Sequence, residues 1–189
     1  QMIYQRHIPP QELIAAQLEM LMQNGRLATI SMHMVGLLAT VVMLWPFMPS
    51  PTLLLWAAAF LILLLIRSLH MSNALVERHY QTHPRRLYWQ LLIGAALTGA
   101  VWAAVYIFST RHLPVTMQYV FLLLIVMITA FSLGFSVVVR EYFIVYMFTS
   151  LWPIAWWSLV HYWDQPYNLL IGLVLLAFCA LLIYVCDQT

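Results

Sequence analysis

Apolar and polar positions alternate along this chain in long blocks rather than residue by residue. Six apolar stretches follow one another, approximately Leu27 to Met48, Leu53 to His70, Leu87 to Phe108, Met117 to Val139, Tyr142 to Val160 and Asn168 to Val185. A hydrocarbon core of about 30 Å takes roughly 20 residues of helix to cross. The pattern therefore predicts an all-α six-helix transmembrane bundle, with residues 27–189 as one membrane domain. Proline-rich links, "PSPT", "STRHLPVT" and "HYWDQPY", punctuate one side, and proline stops helices. On the other side "MSNALVERHYQTHPRR" is long, and its first part reads as the second helix continuing to Pro84. The link Arg140-Glu141 is nearly a direct reversal, so the fourth and fifth crossings are expected to pair tightly.

Residues 1–26 have a different pattern. In "PPQELIAAQLEMLMQNGR", Ile14, Leu18, Leu21, Met22 and Gly25 share one helical stripe, with Glu12, Glu19, Gln23 and Arg26 elsewhere. This predicts an N-terminal amphipathic helix, either lying at the membrane interface or extending the first crossing, since Gly25 weakens but does not forbid continuity. The stretch is too polar for a secretory signal.

Composition sharpens the assignment. The chain is 64% hydrophobic and 7% charged, with eight basic residues, all arginine, where soluble domains carry about 25% charge. This is an integral membrane protein. Arg6, Arg26, Arg67, Arg78, Arg85, Arg86 and Arg140 fall on the side of the N-terminus and Arg111 on the other. The enrichment of arginine in cytoplasmic loops then places both termini in the cytoplasm. Cys179 and Cys186 lie in the last apolar block, too far apart to bridge within a helix, and say nothing of redox compartment.

Against this background a few polar residues stand out. Arg67, counted from the outer end of the second crossing, lies about 9 Å inside the inner membrane edge, and His33 reaches a matching depth in the first. His70 follows Arg67 by one turn, and Ser132 and Ser136 approach the same level in the fourth. Ionisable groups at such depth cost about 2.5–3.5 kcal/mol and usually face a bundle interior or a water-filled cavity. His33, Arg67, His70, Ser132 and Ser136 are thus the candidate ligand-binding or coupling layer, with arginine snorkelling to the headgroups as the alternative. His33 and His70 are also the candidate axial ligands if a haem b is bound. His79 and His83 form an i, i+4 pair without a third ligand nearby in sequence.

Toward the outer side, Trp45, Trp56, Trp156, Trp157, Tyr162, Trp163 and Tyr167 read as an interfacial aromatic belt. Trp45-Pro46 and Trp152-Pro153 would end or kink their helices, which makes Trp45, Trp102, Trp152 and Trp156 a candidate aromatic ligand pocket. In the third crossing, "GAALTGAVWAA" carries ridges Ala95, Gly99, Ala103 and Ala96, Ala100, Ala104, which suit close helix approach in the bundle centre or at a dimer seam. The sequence contains no glycine-rich phosphate loop, no H-E-x-x-H and no Ser-His-Asp order, and all six acidic residues lie at helix ends or in links. It offers no catalytic residue, no metal set, and none of the intramembrane acids expected of a proton-coupled pump.

The order "LMQNGR", "LWP", "LLLWAAAFLILLLIR", a basic loop and "RRLYWQLLIGAALTGAVW", carried by Trp45, Trp56, Arg67, Arg86, Trp89, Gly94, Gly99 and Trp102, resembles the MASE-like N-terminal membrane sensor modules of bacterial signalling proteins. The resemblance spans nearly the whole chain. It implies an input domain in the bacterial inner membrane that senses a small ligand, redox or membrane signal. Such a module works as a homodimer and passes a helix movement to a cytoplasmic output domain in cis, a GGDEF diguanylate cyclase, EAL phosphodiesterase or histidine kinase. Membrane lipid is the expected surrounding partner, and no nucleic acid is expected. Two other classes stay open: a haem- or quinone-binding redox membrane protein, and a small transporter or channel subunit in which the polar layer lines a path.

Overall fold

A computed structural model describes residues 10–136, 138–161 and 166–188. Among these the chain is all-helical: α1 (Pro10–Leu44), α2 (Ser50–Val76), the single turn α3 (His79–Thr82), α4 (Pro84–Ser109), α5 (Val115–Ser136), α6 (Arg140–His161) and α7 (Pro166–Gln188). Five helices are long and apolar enough to cross a membrane, and α7 adds a shorter apolar segment, Leu169–Val185. The surface is apolar too: Leu55, Ile66, Val42, Phe131 and Leu170 are each more than half exposed. Large contiguous apolar surface of that kind is not left facing water. The chain is a multi-pass membrane protein.

The amphipathic lead-in is not a separate interfacial helix. It is the first half of α1, which at 35 residues is about 50 Å long and outreaches the hydrocarbon core. One glycine costs a helix only about 1 kcal/mol, and protein packing on the same stripe outweighs it. Leu18, Leu21 and Met22 are buried against the rest of the chain. Tyr80 of α3 donates to Glu19 Oε1 at 3.1 Å, and Arg26 to Ser72 Oγ of α2 at 3.0 Å. Burial, then the bonded Glu19 carboxylate, raise the Tyr80 phenol above its ordinary pKa and keep it a neutral donor.

Proline sets several boundaries. α1 ends at Leu44, just before Pro46, and α4 starts on Pro84, where a missing N–H costs nothing. α2 does not run to Pro84 as the sequence suggests. It stops at Val76, and Arg78 takes a left-handed conformation (φ 53°) that turns the chain back so that Tyr80 is buried on α1. α6, by contrast, continues through Pro153.

The central helix is α4, which packs against α1, α2, α3, α5 and most extensively α6. α6 packs more extensively on α4 and α7 than on α5, its expected close partner. The small ridge explains this. A Cβ built on Gly99 would lie 2.7 Å from the Tyr146 carbonyl oxygen and 3.0 Å from the Ser150 nitrogen, so the α4 and α6 backbones meet there. Ala95 and Ala103 are buried on the same ridge, while Ala100 of the neighbouring ridge is exposed. One ridge belongs to the bundle centre. Gly36 performs a similar service for α1, where an added Cβ would sit 2.5 Å from Ile128 Cδ1 of α5.

Candidate functional site

Arg67 lies on the inward stripe of α2. The buried positions Phe60, Leu64, Met71 and Ala74 recur at spacings of three and four residues once Arg67 is placed between Leu64 and Met71. Its side chain turns into the bundle, where the guanidinium donates to Thr98 Oγ1 of α4 and to the Tyr142 hydroxyl of α6. The Thr98 hydroxyl in turn donates to the Gly94 carbonyl at 2.8 Å. Gly94 makes room: a Cβ there would lie 3.1 Å from Arg67 Nε. Three crossing helices are thus tied through one cation, and its partners are hydroxyls rather than carboxylates.

One layer outward, His33 of α1 is 2% exposed and is enclosed by rings. Its Nδ1 accepts a hydrogen bond from Trp102 Nε1 at 3.2 Å, so Nε2 carries the imidazole proton when the ring is neutral. Phe60, Trp102 and Tyr146 lie with ring centroids 5.7–6.2 Å from the imidazole. Trp102, 0% exposed, meets Phe60 edge-on at 5.1 Å and Trp56 at 6.1 Å. Edge-to-face pairs add about 0.5–1.5 kcal/mol each beyond burial. The Tyr146 hydroxyl is buried, with the Thr129 hydroxyl of α5 as its neighbour. Thr98 and Trp102 stand one turn apart on α4, and Tyr142 and Tyr146 one turn apart on α6. His33 and Arg67 therefore belong to one interior assembly spanning α1, α2, α4 and α6.

The other candidates are placed elsewhere. Ser132 and Ser136 are buried in α5, but each hydroxyl is spent on its own helix, Ser132 on the Thr129 carbonyl at 2.7 Å and Ser136 on that of Ser132. His70 lines a separate polar cavity with Glu77, His79 and Arg86, and His33 is not among its walls. A haem held by His33 and His70 would need both imidazoles on one open space. The ring cage around His33 does not fit that group. Among the described residues, no three His, Cys, Asp or Glu side chains converge as a metal set.

The four tryptophans proposed as a pocket are likewise not brought together. Trp102 is interior, whereas Trp45, Trp152 and Trp156 are 51%, 44% and 62% exposed on the apolar outside. Trp152 packs on Phe148 at 5.3 Å. Trp56, read as belt, joins the interior cluster, and Trp157 stacks on His161 at 3.4 Å. Tyr162 and Trp163 lie outside the described residues, as do the side chains of Tyr167 and Cys186. Cys179 is a buried free thiol.

Sequence reasoning passed over Thr98, Tyr142, Phe60 and Tyr146. The heptad-like stripe through Arg67 was the signal that its side chain points inward. Its partners carried no such mark, because a threonine in a small-residue ridge and a tyrosine near a membrane edge are ordinary in any bundle. Comparison of the chain with protein families, with curated proteins and with solved structures finds no match to any of them.

Proposed function

We propose that this chain is the sensory input module of a bacterial inner-membrane signalling protein. Six crossings would place both termini in the cytoplasm, and α7 would lead into an output domain for cyclic-di-GMP turnover or histidine phosphorylation, with the module working as a homodimer. The observation that supports this reading best is the Arg67 junction. A half-buried cation set among helices with hydroxyls as its partners is held by weaker interactions than a carboxylate would give, and it joins α2 to α4 and α6. In this reading the guanidinium switches between Thr98 and Tyr142, where it stands here, and a released position toward the membrane edge. A stimulus that favours one of them shifts the helices.

A transport path would have to continue outward past this layer, and there the rings of Phe60, Trp56 and Trp102 pack against one another. The sensor reading is therefore preferred to the transporter one.

The test uses the full-length gene product. Arg67→Leu is expected to change output activity at least about fivefold, the lower end of typical coupling between sites, while membrane abundance stays close to wild type. Arg67→Lys, which keeps the charge but loses the fork, is expected to fall between. Equal loss of abundance and output in both variants would make Arg67 a structural tie and remove the proposal.

A further inference from the structure

Where α2 leaves the bundle and α4 enters it, a cavity of about 270 Å³ opens between them beside α3. It is smaller than drug-sized pockets of about 300–1,000 Å³, and so suits a small polar group. Its walls combine His70 and Asn73 of α2, His79 of α3, His83 from the link, and Arg86 and Gln90 of α4. Glu77 is the one carboxylate among the lining residues, and it is already engaged: His79 Nε2 stands 2.8 Å from its Oε2, with both side chains at the exposed rim.

That pairing leaves an excess of donors. Arg86 presents a guanidinium fork and has no ion pair among the described residues. His70 Nε2 is shut off from solvent and has no hydrogen-bond partner, a condition that costs about 1–3 kcal/mol unless a ligand or water relieves it. Asn73 and Gln90 add amide N–H groups. The first turn of the 26-residue α4, starting at Pro84, brings the positive end of a helix dipole to the same place. A cation is disfavoured by Arg86, and no three metal ligands converge among the described residues.

We infer that this cavity binds a phosphate group, with Arg86 as its charged anchor and His70 and Gln90 as further donors. The arginine fork matches phosphate oxygens, and convergent donors beside one engaged acid select an anion over a neutral ligand. The phosphate can come from an anionic lipid headgroup or from a soluble compound, since the cavity sits where α2 and α4 reach the membrane edge. The inference does not depend on the Arg67 junction.

The experiment follows thermal unfolding of the purified chain in maltoside micelles, which carry no phosphate. One arm adds inorganic phosphate against chloride at equal ionic strength, and the other adds short-chain phosphatidylglycerol. Wild type is expected to be stabilised in a saturable way by at least one source. Arg86→Gln and His70→Gln are each expected to raise the half-saturating concentration at least about tenfold, and Arg111→Gln, in the link beyond the far end of α4, to leave it unchanged. A response to phosphatidylglycerol alone identifies a lipid headgroup, and a response to inorganic phosphate identifies a soluble ligand. No saturable stabilisation from either source, or an undiminished response in Arg86→Gln and His70→Gln, would overturn the assignment.

Discussion

Trp102→Ala is expected to lower stability by about 3–5 kcal/mol, the range for removing a large aromatic from a packed core. For a chain of this size that is a fall of roughly 10 °C in the unfolding midpoint of purified protein. Trp102 is fully enclosed and touches Trp56, Phe60 and His33 at once. In lipid the loss is not a transfer of apolar surface from water, because acyl chains are as apolar as the interior. What disappears is dispersion contact on every side of the indole, together with the donor that engages His33 Nδ1. Trp102→Phe keeps an aromatic ring but loses the N–H and part of the indole volume, so a smaller cost of about 1–3 kcal/mol is expected. If Trp102→Ala melts with wild type, the aromatic cluster is not the core of this bundle.

The second large effect concerns backbone approach. Gly99→Ala is expected to destabilise, although alanine is the better helix former by about 1 kcal/mol. The new methyl would press on the Tyr146 carbonyl and the Ser150 nitrogen of α6, which are backbone atoms and cannot rotate away. Over-packing of this kind costs about 1–3 kcal/mol. Gly134→Ala is the matched comparison, since a Cβ there meets nothing within 4 Å, and it is expected to be neutral or mildly stabilising. Unfolding of both variants in the same micelles decides the matter: equal midpoints would mean that α4 and α6 do not meet at Gly99.

The two effects share an origin. α4 and α6 approach closely because Gly99 and the flanking alanines offer no side-chain bulk, and the proximity brings Thr98 and Tyr142 near enough for one guanidinium to bond both. Gly94, one turn before Thr98, leaves the space through which the Arg67 side chain passes. The polar junction is a consequence of how small the α4 surface is on that side.

How far the sequence reached can be followed residue by residue. The apolar blocks located every long helix, because a membrane requires unbroken backbone hydrogen bonding over its whole thickness and that leaves a mark about 20 residues long. The prolines located several ends. Leu18, Leu21 and Met22 were legible as a stripe, yet a stripe does not say whether lipid or protein covers it, and here α3 and its neighbours do. His33 and Arg67 were legible as anomalies of depth. Their grouping with His70, Ser132 and Ser136 was not reliable, because depth is one coordinate and a site needs three. His70 is only one turn from Arg67 but lines a cavity that Arg67 does not reach, and the serines satisfy themselves along α5.

By itself, then, the sequence determined that this is a helical membrane protein, where its long helices run, and that a charge and an imidazole lie within its membrane-spanning blocks. Those properties follow from hydrophobicity and helical rise, which are local and additive. The tertiary structure alone decided that Arg67 bonds Thr98 and Tyr142, that His33 sits inside a cage of rings, and that Trp45, Trp152 and Trp156 face outward while Trp102 does not. Helices in lipid have no wet side to mark their orientation, so the rotation of each about its axis is set by close packing between particular neighbours, and packing is a property of pairs of helices rather than of any one.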